Sequence, residues 1–291
     1  MFSGALTALC TPFRDGRVDE PALRALVDAQ IDGGIDGLCP VGTTGEAPTL
    51  EPEEQAHVIR VVVEQAKQRV PVIAGAGSNS TAHAVAAGRA ARAAGADGLL
   101  VVTPYYNKPT QEGLYRHFRA VADGVGLPIV VYNIPGRSVI DLSIDTLVRL
   151  ATDEPLIAGL KDATGSVARM QETARRLGDR LPVLSGDDAL NLACYAVGGR
   201  GCISVASNVV PRLVAEVWDA AAAGDFSRAR ALHLRTLALT EALFTEANPI
   251  PVKAALAMLG RMSPEIRLPL VPISDGARAR LVAALREHGL A

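Results

Sequence analysis

Lys161 closes a run of apolar and small residues, Leu156, Ile157, Ala158, Gly159 and Leu160, that reads as a strand buried on both faces. The acid beside it, Asp162, stands only on its far side. Lysine is almost never fully buried without a partner. Burial disfavours the ammonium and promotes loss of its proton. A neutral amine in an apolar pocket is a nucleophile toward carbonyls. The plain alternative is a lysine that ends a strand and reaches solvent, and this segment alone favours that alternative. The decision lies with the rest of the chain.

An imine-forming lysine needs a carbonyl substrate, an anchor for its carboxylate if the substrate is a keto acid, and a group that moves protons. The ends of other apolar runs offer such parts. "GTTGE" sets Thr43 and Thr44 between glycines, where main-chain N–H groups and hydroxyls make a carboxylate cradle. "PYYN" supplies Tyr105 and Tyr106, and "YNIPGR" supplies Tyr132 and Arg137. Tyr132 and Tyr106 can donate and accept protons through a linking hydroxyl network. The Arg137 guanidinium suits bidentate capture of a second carboxylate. These are the parts of an aldol condensation through a lysine enamine. Gly, Pro, Asn and Thr are ordinary turn residues, so each stretch alone carries little weight. Their recurrence at several strand ends carries more.

The elements that must position these groups follow from the pattern. Strand-like runs rich in Val, Ile and Leu occur at 4–10, 37–42, 71–77, 98–104, 128–134, 156–161, 182–186 and 201–207. They lack clean alternation, as parallel strands covered on both faces do. Helical stripes lie between them: Leu23, Leu26, Val27 and Ile31; Ile59, Val62, Val63 and Ala66; Leu114, Phe118, Val121 and Val125; Val167, Met170, Ala174 and Leu177. "DEP" at 19–21 and "EP" at 51–52 are helix-start signals. Eight alternations predict an α/β fold, a (β/α)8 TIM barrel, with function at the carboxyl ends of the strands. Residues 1–210 hold the barrel strands and helices. Residues 211–291 hold the last barrel helix and a C-terminal helical extension in the same domain, with "GDFSRAR" at 224–230 read as a helix–helix turn.

Composition narrows the function classes. The 291 residues carry a net charge of −2 and no basic run, which argues against nucleic acid as the main partner. The opening "MFSGALTALCTPF" lacks a charged leader and no long apolar span follows, so no membrane partner is expected. Cys10, Cys39, Cys194 and Cys202 form no CxxC pair and read as buried reduced thiols of a cytoplasmic protein. The five histidines show no metal-ligand spacing. "GAGSNS" has Ser80 where a dinucleotide fingerprint needs glycine, "GTTGE" lacks a P-loop ending, and no GxSxG elbow occurs. Asp187 and Asp188 read as the start of the next helix, Trp218 as packing, and Lys253 in "NPIPVK" as a structural or interface residue.

The set "TALCTPF", "GTTGE", "VTPYYNKPTQEGLYRHF", "YNIPGR", "KDATG", "LSGDD" and "NPIPVK", in this order, resembles the dihydrodipicolinate synthases, within the pyruvate-dependent class I aldolases and lyases that include N-acetylneuraminate lyase. The likeness covers essentially the whole chain. It implies that Lys161 forms the Schiff base with pyruvate and that Tyr132 is the proton donor and acceptor. Thr43 and Tyr106 complete the relay, Tyr106 by entering a neighbouring subunit's site, so a homodimer or homotetramer is implied. Thr44 and the backbone of Ile203 bind pyruvate, Gly186 lines the pocket, and Arg137 binds the carboxylate of L-aspartate 4-semialdehyde. No cofactor and no metal are implied beyond the covalent imine. Another pyruvate-dependent lyase, acting on N-acetylneuraminate or keto-deoxy sugar acids, and a catalytically silent keto-acid-binding barrel are the alternatives. Members of the family inhibited by lysine often carry glutamate where this chain has His83 and histidine where it has Gln55, while Asn79 and Tyr105 are kept. Loss of that carboxylate implies weak or absent inhibition by L-lysine.

Overall fold

The computed structural model describes residues 2–290. Each apolar run contributes one parallel strand: β1 (Gly4–Ala8), β2 (Gly37–Cys39), β3 (Ile73–Gly75), β4 (Gly98–Val102), β5 (Ile129–Asn133), β6 (Ile157–Asp162), β7 (Val183–Ser185) and β8 (Gly201–Ser204). Most are shorter than their runs. Pro40, which has no N–H to give a neighbouring strand, follows directly on β2. The order β2-β1-β8-β7-β6-β5-β4-β3 is closed into a ring by a parallel bridge between Leu38 and Val72. At this seam Gly75 N–H donates to the Pro40 carbonyl at 2.9 Å. A Cβ on Gly75 would collide with the carbonyl of Val41, so only glycine lets the loop after β2 lie this close.

Helices α1 (Glu20–Asp32), α2 (Pro52–Ala66), α3 (Thr81–Ala93), α4 (Gln111–Val125), α5 (Ile144–Asp153), α6 (Val167–Leu177), α7 (Asn191–Ala196) and α8 (Pro211–Ala222) follow the strands in turn. The acid–proline signals hold. Asp19 caps α1 by accepting from Ala22 N–H at 3.2 Å, and the Glu54 carboxylate at the start of α2 accepts from Glu51 N–H at 3.1 Å. Leu114, Phe118, Val121 and Val125 are all buried, so the α4 stripe faces the sheet. All four cysteines are free and buried, and burial pushes the Cys10 and Cys39 thiols up to about 12. The Trp218 ring meets Tyr195 edge to face at 5.2 Å between centroids, a packing contact.

One local feature is new and one local reading changes. Phe13–Arg14 pairs antiparallel with Arg17–Val18 across a turn, a hairpin too short for an alternation pattern to reveal. "GDFSRAR" is not wholly a turn. Only Ala223–Asp225 separates α8 from α9 (Phe226–Leu243), because Asp225 caps α9 by accepting from Arg228 N–H at 2.9 Å. Helices α10 (Ile250–Met258) and α11 (Asp275–Glu287) complete the chain.

His117 on α4 is buried at 4% exposure, and desolvation holds its imidazole down to about 4. The Thr81 hydroxyl lies 3.0 Å from Nδ1, while Nε2 has no partner among the described residues. The neutral ring is therefore the folded form. Its contribution to stability is complete above pH 6.5 and is lost as pH falls toward 4, roughly 3 kcal/mol across that interval. Urea unfolding at pH 7 and pH 4 is expected to show His117→Gln losing less stability than wild type over the interval. An equal loss in both proteins would clear His117 of the effect.

Candidate active site

Lys161 and Tyr132 are direct partners in the β5–β6 register. Partnered residues on adjacent strands point to the same face, and the Lys161 Nζ lies 4.3 Å from the centre of the Tyr132 ring. The same level continues through Val102, partner of Tyr132, and Leu184, partner of Lys161. Lys161 is only 6% exposed. Among the described residues it has no ion pair, and the buried pairs lie elsewhere. Asp162, next in sequence, occupies the opposite face. Its carboxylate accepts from Thr164 N–H and hydroxyl at 2.9 and 2.6 Å and faces Arg169 of α6 at 3.4 Å. The strand thus sends the acid to the helices and the amine to the interior. The lysine does not simply reach solvent.

Gly186, just beyond β7, gives the amine its space. A Cβ there would sit 3.0 Å from Lys161 Cε and 2.8 Å from Ala163 Cβ, closer than carbon atoms pack. Ile203 on β8 is buried, and the chain beyond it is pinned by Asp188, whose Oδ2 accepts from Val205 and Ala206 N–H at 2.8 and 2.9 Å. Asp187 caps the following turn by accepting from Ala189 N–H. Of the two acids, then, Asp187 serves the helix start as expected, while Asp188 chiefly holds the end of β8.

Thr43 and Thr44 lie in a tight turn where Gly45 and Ala47 N–H donate to the Gly42 carbonyl and Glu46 N–H donates to that of Thr43. The N–H groups of Thr43 and Thr44 reach no main-chain carbonyl among the described residues, which leaves them available to an anion. Thr44 is buried and Thr43 half-buried. Arg137 sits on a single helical turn, Pro135–Ser138, after β5, and donates to the Asn248 carbonyl at 3.2 Å. Tyr106 is not drawn into this constellation. It is 87% exposed on a left-handed backbone, φ 71°.

Sequence reasoning missed two supports. The Asn248 side chain donates to the Thr44 hydroxyl oxygen at 3.0 Å. Glu46, at the end of "GTTGE", is completely buried in an ion pair with Lys253, and its other oxygen accepts from Arg267 N–H at 3.1 Å. Lys253 Nζ lies 4.1 Å from the centre of the Phe13 ring and Arg267 Cζ 4.2 Å from it. Burial pulls the Lys253 ammonium below its ordinary value, against the pull of Glu46. Lys253 is therefore structural, as its motif suggested. His83 is exposed on α3, and the Gln55 amide is taken up by the Ala47 and Leu50 carbonyls at 3.1 and 3.2 Å.

Known proteins match the chain over its whole length. The profile of the Dihydrodipicolinate synthetase family matches residues 1–288. The chain is 51% identical over 290 residues to 4-hydroxy-tetrahydrodipicolinate synthase of Pelobacter propionicus, covering 100% of both chains. It is 57% identical over 286 residues to that of Sorangium cellulosum, covering 98% and 95%. The dihydrodipicolinate synthase of Aquifex aeolicus superposes with a TM-score of 0.97 at 47% identity, covering 99% of both chains. The chloride-inhibited enzyme of Acinetobacter baumannii, solved with pyruvate, gives 0.98 at 45% identity over 100% of both. A family profile matched over residues 1–288, with relatives about half identical from end to end, places the chain in the dihydrodipicolinate synthetase family.

Proposed function

We propose that this protein condenses pyruvate with L-aspartate 4-semialdehyde to give 4-hydroxy-tetrahydrodipicolinate, in lysine and diaminopimelate biosynthesis. The observation that carries the reading is the buried Lys161 amine over the Tyr132 ring, without an ion pair among the described residues. The amine adds to the pyruvate ketone, and loss of water gives the imine. The free N–H groups of the Thr43–Thr44 turn and the Thr44 hydroxyl hold the carboxylate. Tyr132 passes protons as the methyl group yields the enamine, whose carbon attacks the aldehyde. Arg137 receives the aldehyde's carboxylate, and the substrate's own amino group displaces Lys161 as the ring closes. The scheme uses no metal and no cofactor besides the covalent imine.

The outward Tyr106 supports a homodimer or homotetramer in which that phenol completes a neighbour's relay with Thr43. No helix among the described residues is long and apolar enough to cross a membrane, and we place the reaction in the cytoplasm. His83 and the occupied Gln55 amide support weak or absent inhibition by L-lysine. The test offers the protein pyruvate with a panel of aldehydes, and separately N-acetylneuraminate and keto-deoxy sugar acids, while L-lysine is titrated. Consumption of aspartate semialdehyde, little affected by lysine, is expected. Preferential cleavage of a sugar acid would move the protein to the lyases, and micromolar lysine inhibition would overturn the regulatory part.

A further inference from the structure

Asn248 touches both groups assigned to carboxylates, each through a different part of itself. Its side-chain N–H2 donates to the Thr44 hydroxyl oxygen, and its main-chain carbonyl accepts from Arg137. The residue is 6% exposed, and its Oδ1 is buried with no partner among the described residues. A buried amide oxygen without a partner is costly. Here the cost goes with presenting the N–H2 to Thr44 rather than turning the oxygen toward the hydroxyl hydrogen. The choice has a chemical result. A hydroxyl has one hydrogen to give and two lone pairs to receive with. With one lone pair taken by Asn248, the Thr44 hydrogen is left to point elsewhere.

We propose that Asn248 is a positioning residue that sets the polarity of the Thr44 hydroxyl, so that its hydrogen is donated to the carboxylate of the keto acid. This rests on the assignment of Thr44 to pyruvate. If the amide were reversed, the hydroxyl would donate to Asn248 and present only lone pairs to an anion. Such an arrangement repels the ligand. The polarity therefore acts on keto-acid affinity, while the main-chain link to Arg137 is indifferent to the side chain at 248.

Asn248→Asp tests this with almost no change of shape, because a carboxylate can only accept and forces the Thr44 hydrogen toward itself. The readouts are borohydride-trapped adduct against pyruvate concentration, and KM for each substrate. The expected result is an increase of about 10- to 100-fold in the pyruvate needed for half-maximal trapping, the range for a hydrogen bond to a charged group. KM for the aldehyde stays near wild type, a split that a general loosening of the fold would not produce. Asn248→Ala, which leaves the hydroxyl unguided and adds no buried charge, is expected to give a smaller rise in the same direction. In a Thr44→Val background Asn248→Asp adds less than it does in the wild type, since only the direct repulsion of its charge remains. Unchanged pyruvate dependence in Asn248→Asp and Asn248→Ala, or equal rises in both KM values, overturns the inference and leaves the Schiff-base reading standing. Failure of the wild-type protein to trap pyruvate at all overturns both.

Discussion

Lys161→Ala is expected to fold, to gain no mass with pyruvate and borohydride, and to lose turnover by about 10,000-fold or more, since the proposed scheme forms its covalent intermediate at this amine alone. Lys253, the other buried lysine of the motifs singled out, is occupied by Glu46 and does not replace it. Removing an interior amine that has no ion pair among the described residues relieves its desolvation while deleting the packing of its stem. The two effects oppose each other, and the melting temperature is expected to stay within about 3 °C of wild type. Lys161→Arg separates charge from nucleophilicity, because a guanidinium stays protonated and cannot add to a ketone. It is expected to be as inactive as alanine. Trapped adduct in Lys161→Ala, found at another lysine by peptide mapping, would remove Lys161 from the mechanism.

Lys253→Met is the variant with the largest expected effect on stability. It leaves the Glu46 carboxylate at 0% side-chain exposure without its ammonium. Breaking a buried pair in this way costs about 3–5 kcal/mol, which corresponds to a fall of roughly 5–8 °C in melting temperature for a chain of this size. The damage does not stay at the pair. Glu46 adopts a left-handed backbone, φ 55°, directly after the Thr43–Gly45 turn. The same cluster is tied to the C-terminal segment by Arg267, which donates to both Glu54 oxygens at 2.7 Å and to the Gly16 and Thr49 carbonyls. Pyruvate affinity is therefore expected to fall together with stability. The double variant Lys253→Met, Glu46→Gln removes both charges, keeps an acceptor for Arg267 N–H, and is expected to regain most of the lost stability. A double variant no better than Lys253→Met alone would mean that the pair contributes more than mutual neutralisation.

Much of this site was legible because its main parts are local. Lys161 ends an apolar run, Thr43 and Thr44 stand between glycines, and Tyr132 lies in its own strand, so each could be placed on an element before any contact was known. The supports were not legible. Glu46 and Lys253 are 207 residues apart and Thr44 and Asn248 are 204 apart. Nothing in the periodicity of either segment announces a pair made only when the C-terminal helices pack on the barrel rim. Asp188 does more than its place in the sequence suggests, for a related reason: besides taking a hydrogen bond from the Asn191 side chain at the start of α7, it reaches the neighbouring loop. Its neighbours in sequence suggest a cap, while its principal partners, Val205 and Ala206, belong to the next βα loop. Tyr106 shows the remaining gap, since at 87% exposure it stands apart from the other residues predicted for the site.

The alternation within β6 sets a condition on how the chain can change. Because Lys161 and Asp162 project to opposite sides of a single strand, inserting or deleting one residue between Gly159 and Lys161, where the pairing with β5 is regular, exchanges them. The carboxylate then enters the lumen and the amine is thrust against Arg169. Changes of even count preserve parity, and odd ones invert it. The irregular register at Ala158, by contrast, is a place where one residue can be absorbed. Beyond the bulge, engineering of this strand is consequently confined to substitution or to paired indels, however tolerant the surrounding loops are of length.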